Sequence, residues 1–126
     1  MKIHKIWRVH VDLHIGCSAN PVIWTQEDAY SYVIKFSFVR NRRPIADLYA
    51  LGGTFVLKFI LPNNSEIEYE LVDIQGDQGT FVVPNEVLIM AGDASLLVEW
   101  RFGEEVRNFV NPLPIIIQKN PWEVGE

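Results

Sequence analysis

The stretch AYSYVIKFSFV, residues 29–39, decides the fold class. Tyr30, Tyr32, Ile34, Phe36 and Phe38 occupy every second position, with Ser31, Val33, Lys35, Ser37 and Val39 between them. A side-chain period of two sends alternate residues to opposite faces of a strand, so the large apolar groups share one face and require a layer to cover it. This is a central strand.

The same period recurs on both sides. Toward the N-terminus, Trp7, Val9, Val11 and Leu13 alternate with Arg8, His10, Asp12 and His14 and form the first strand. Pro21 opens Val22 to Trp24, a short edge strand, because proline has no N–H for a central ladder. Toward the C-terminus, Arg40 to Gly53 is a turn, a short crossing segment and a hinge, whose apolar residues plug the end of the core. Phe55, Leu57, Phe59 and Leu61 then alternate with Thr54, Val56, Lys58 and Ile60. After the turn Pro62-Asn63-Asn64-Ser65, Ile67, Tyr69 and Leu71 alternate with Glu66, Glu68 and Glu70, so the two runs pair as a hairpin with an acidic outer face. That face is solvated or meets a basic partner.

Gln75 to Gly79 is a further turn before Thr80 to Val83, and Pro84 to Gly92 holds one brief helical turn. Ala94 to Phe102 and Val106 to Val110 form a second hairpin around Gly103, and Leu113 to Gln118 is the last strand. Seven or eight strands joined by short turns give an all-β fold, an antiparallel two-sheet sandwich of immunoglobulin-like kind, with a small closed barrel as the alternative. Residues 1–118 form this single domain, and 119–126 are a polar tail or the start of a linker.

The chain has 126 residues, too few for two adequate cores. Its net charge of -5 argues against a phosphate backbone or an anionic lipid surface as partner. Cys17 is the one cysteine, so no intrachain disulfide forms, as suits a protein assembled inside a cell. No apolar segment follows Lys2 and Lys5 to make a signal peptide, and no apolar run approaches membrane-spanning length.

Residues suited to chemistry are few. His10, Asp12 and His14 share the polar face of the first strand, but a third convergent ligand is missing, and solvated alternation accounts for the same residues. Glu66, Glu68, Glu70, Asp73 and Asp77 contain carboxylate pairs at glycosidase spacing without the cleft such a pair needs. No nucleophile elbow, phosphate-cradling loop or CxxC pair is present, so the reading is of a non-enzymatic protein without cofactor or metal.

Contacts are the better expectation. Arg40, Arg42 and Arg43 make a basic turn, and the basic turn of one copy set against Glu66, Glu68 and Glu70 of a neighbour gives a head-to-tail homo-oligomer that closes into a ring. Trp7 and Trp100 run in phase with core residues, whereas Trp24 and Trp122 are the surface candidates for a ligand or partner. Aromatic platforms of that kind also serve carbohydrate-binding sandwiches, which makes a host-surface glycan the alternative ligand.

The order of these features resembles the N-terminal domain of the upper baseplate protein of siphophages infecting Gram-positive hosts. The resemblance is carried by Ile34-Lys35-Phe36-Ser37-Phe38, by Arg43-Pro44-Ile45-Ala46-Asp47-Leu48 and by Leu61-Pro62-Asn63-Asn64. It continues through Asp73 to Gly79, Thr80 to Pro84 and Val87 to Gly92, and covers nearly the whole chain. Asn64-Ser65 stands where the family commonly has Asp-Gly, and Leu51-Gly52-Gly53 lengthens the approach to the next strand. The resemblance implies a structural component of the virion tail tip, assembled in the host cytoplasm. It would dock on other phage tail and baseplate proteins, with any host-binding part further along a longer polypeptide.

Overall fold

A computed structural model describes residues 3–12, 16–18, 22–26, 30–40, 43–44, 52–108 and 112–119. Their strands are β1 (Ile3–Asp12), β2 (Gly16–Ser18), β3 (Val22–Thr25), β4 (Tyr30–Arg40), β5 (Arg43–Pro44) and β6 (Thr54–Ile60), followed by β7 (Glu66–Glu70), β8 (Asp73–Gln75), β9 (Gln78–Val82), β10 (Gly92–Phe102), β11 (Glu105–Asn108) and β12 (Leu113–Gln118). A 3-10 turn over Asn85–Leu88, entered from Pro84, is the brief helical segment expected there. The expected crossing segment, Ile45 to Leu51, lies outside the described residues.

The strands form two sheets. Sheet A has the order β2-β1-β4-β9-β8, with β5 continuing beside β4. Sheet B has the order β3-β12-β10-β6-β7, with β11 beside β10. The eleven-residue β10 carries β6 along one edge and β12 then β11 along the other.

The all-β, two-sheet sandwich is as expected, but the sheets are mixed and not antiparallel throughout. β1 runs parallel to β4 over ten pairs, from Ile3 opposite Tyr30 to Asp12 opposite Val39. β12 runs parallel to β3 from Ile115 opposite Val22. A parallel pair needs a crossover rather than a hairpin, and between β1 and β4 the chain visits sheet B as β3 before returning.

Between the sheets the alternation read from the sequence holds. Val9, Val11, Tyr32, Ile34, Phe36 and Phe38 of sheet A face Phe55, Leu57, Phe59, Leu96, Val98, Leu113, Ile115 and Ile117 of sheet B, all buried in one cluster. The hairpin between β6 and β7 is closed by Asn64 N–H donating to the Leu61 carbonyl at 2.8 Å, with Asn64 at φ 69°. Asn tolerates this left-handed position, so the turn forms without a glycine there.

Trp24 overturns an expectation. It is fully buried, because β3 extends to Thr25 and its period puts Trp24 on the same inward face as Val22. Its ring stacks on Tyr32 at 5.6 Å. β3 is nevertheless the edge strand expected, so a strand at the rim of a sheet still contributes one face to the core.

Candidate interaction surfaces

The acidic strand β7 lies at the edge of sheet B, and its glutamates stand exposed on the outer face as expected. The antiparallel register sets Lys58 opposite Glu68 on one side and opposite Leu97 on the other. Glu99 and Arg101 follow Leu97 on β10 at the same period, so cations and acids converge.

Arg101 Nη2 donates to Glu99 Oε1 at 2.6 Å and to Glu68 Oε1 at 2.9 Å. Lys58 Nζ lies 3.7 Å from Glu99 Oε2, 3.8 Å from Glu68 and 3.9 Å from Glu66. These hydrogen bonds, that to Glu99 first, hold the Arg101 proton more tightly than usual. Two of the three expected glutamates are therefore matched within the chain. Glu70 makes no ion pair among the described residues.

Glu99 itself was not singled out by the sequence. It is 3% exposed although it lies on an outer face, a position where a carboxylate persists only if paired. Replacing Glu99 with alanine is expected to cost about 2 kcal/mol, below the usual cost of breaking a buried pair because Lys58 keeps its water. Glu66→Ala at the solvated rim is expected to change stability by less than about 0.5 kcal/mol. Urea midpoints of the two variants check the contrast.

Tyr69 of β7 closes the same side of the sandwich. Its ring packs on Phe59 and Phe81 at 6.0 and 5.3 Å, and its hydroxyl donates to Glu86 on the 3-10 turn. Burial first, and the Glu86 carboxylate second, push the phenol well above its ordinary range.

A cleft of about 250 Å³ opens at one end, lined by Gly53, Thr54, Phe55, Glu70, Leu71, Val72 and Ile74. Among the described residues Glu70 is the one carboxylate in that lining, and no second acid stands with it there as glycoside chemistry requires. Phe102, half exposed, stands beside Gly52 and Gly53 at the same end, where Trp100 Nε1 donates to the Gly52 carbonyl at 2.9 Å.

Arg43 is exposed in β5, and the backbone of Arg40 pairs with it across the turn. Arg42, His14 and Trp122 lie outside the described residues. His10 is exposed on β1, and no group of three or more His, Cys, Asp or Glu among the described residues is placed to hold a metal ion. No helix among them is long and apolar enough to cross a membrane.

The outer face of sheet A carries a feature missed in the sequence. The registers align Ile6, Val33 and Val82 in one row across β1, β4 and β9, with Ile6 and Val82 about half exposed. The next row places Arg8 directly opposite Lys35. Among the described residues, neither has a carboxylate within 4 Å. Each member is ordinary in its own strand, and only the parallel register brings them together.

No family model matches the sequence, and no curated protein matches it. The fold is similar to that of the N-terminal domain of phage TP901-1 ORF48, a baseplate protein, with a TM-score of 0.60 at 14% identity over 90% of this chain and 98% of that one.

Proposed function

We propose, from the fold that this chain shares with a phage baseplate domain, that it is a non-catalytic structural module of a bacteriophage tail tip. It docks on other tail proteins and helps to present a host-binding part. The observation that supports this reading most is the likeness to the TP901-1 domain over nearly the whole of both chains. The order of turn and strand motifs in the sequence, which resembles that of a baseplate domain, points the same way. In this reading residues 1–118 are the docking domain, and 119–126 lead away from it. In the same reading Arg40, Arg42 and Arg43, with Glu70 and Trp122, meet the partners. The burial of Trp24 removes one of the two aromatic platforms on which a glycan-binding reading rested.

The test is co-expression with the tail proteins encoded alongside it, followed by size-exclusion chromatography with light scattering. A stoichiometric complex is expected. Mass spectrometry of purified virions that finds the tail proteins but not this chain overturns the proposal.

A further inference from the structure

An open sheet face normally alternates polar groups toward water. The outer face of sheet A departs from this in two adjacent rows. Ile6, Val33 and Val82 form a contiguous apolar row, since directly opposed side chains on one face lie about 5 Å apart. Beside it Arg8 and Lys35 oppose each other, a like-charge pair that costs stability unless a carboxylate comes between them. Asp73 reaches this row only from its far edge, opposite Thr80 on β9.

The outer face of sheet B carries a surplus of acid. Glu66, Glu68, Glu70, Asp93 and Glu99 face out against Lys58 and Arg101, five carboxylates to two cations among the described residues. On the same face Ile23 and Ile116 oppose each other across β3 and β12, exposed at 45% and 37%. The sheet A strip thus lies next to the Arg8–Lys35 pair, with Asp12 and Asp73 toward the margins of the same face, and the sheet B strip lies next to Asp93 on a face with surplus carboxylates.

We infer that the outer face of sheet A of one copy packs on the outer face of sheet B of the next. Ile6 and Val82 meet the Ile23 and Ile116 strip, and the Arg8 and Lys35 pair takes the surplus carboxylates. The two surfaces are different patches of one chain, so the contact is heterologous. Repeated, it closes into a ring or grows as a filament. The apolar strips supply the affinity and the charges set the register. This goes beyond the tail role, and replaces the basic turn at Arg43 with the Arg8–Lys35 row as the cationic half of the contact.

Sedimentation velocity from micromolar to near-millimolar concentration should show species larger than a dimer. Val82→Asp blocks only the sheet A face and Ile116→Asp only the sheet B face, each burying an unpaired carboxylate and weakening assembly roughly a hundredfold. Both positions are exposed, and unchanged thermal unfolding confirms that each variant folds. Mixed together, the two variants should form a one-to-one dimer through the single intact junction, which neither forms alone. A chain that stays monomeric throughout, variants that assemble like the parent, or a mixture that yields no such dimer each overturn the proposal. Failure here leaves the tail role standing, because that is read from a complex with other proteins.

Discussion

Trp24→Ala is expected to destabilise the fold by about 3–5 kcal/mol, the usual cost of deleting a large aromatic ring from a core. The ring is fully buried and stacks on Tyr32, whose hydroxyl accepts from the Thr25 N–H at 3.0 Å. Its removal therefore loosens the seam between β3 and β4 as well as leaving a void. Trp24→Phe separates ring from donor. Trp24 Nε1 is buried with no hydrogen-bond partner among the described residues, a donor whose desolvation goes uncompensated. Phenylalanine removes that cost while keeping most of the volume, so its effect should stay within about 1 kcal/mol. Urea unfolding followed by circular dichroism distinguishes the two. Equal midpoints for Trp24→Ala and the parent would place this ring outside the core.

Gly53→Ala is expected to cost about 3 kcal/mol through two separate effects. At φ +74° an L side chain is strained by about 1–2 kcal/mol. The added Cβ would also lie 2.6 Å from the Arg101 carbonyl and 2.8 Å from Trp100 Nε1. The backbone oxygen cannot turn aside, so β6 must shift from β10 and the Trp100 hydrogen bond to Gly52 weakens. Reduced freedom of the unfolded chain returns only about 0.4–1 kcal/mol of this. Gly103→Ala is the control, with φ +62° but nothing within 4 Å of its Cβ, and should show the strain alone. Thermal unfolding of both variants measures the difference, and equal losses would show that close packing at Gly53 contributes nothing.

Much of the fold was legible because burial within a strand is local. The alternation Tyr32, Ile34, Phe36, Phe38 is enough to orient β4, and Pro62-Asn63-Asn64-Ser65 is enough to join β6 to β7. Strand direction across the sheet was not legible. β1 and β4 alternate identically whether they run parallel or antiparallel, and only the excursion through β3 decides. The same gap hid the interaction surfaces. Glu68 looked unmatched because Arg101 reaches it only once β10 lies beside β6, whereas Glu66 meets Lys58 across the hairpin. Arg8 and Lys35 looked like ordinary solvated positions until the β1 and β4 register put them face to face. The surface reading of Trp24 fails because the period of β3, which runs to Thr25, turns it inward beside Val22.

The partnership of β12 with β3 bears on how the chain is made. Val22 and Ile115 are 93 positions apart, so a polypeptide leaving the ribosome holds β3 without its neighbour until almost all of the described chain has emerged. The buried side of β3, Trp24 included, has to wait for the last strand. Deleting β12 would therefore unseat β3, an element far from it in the sequence.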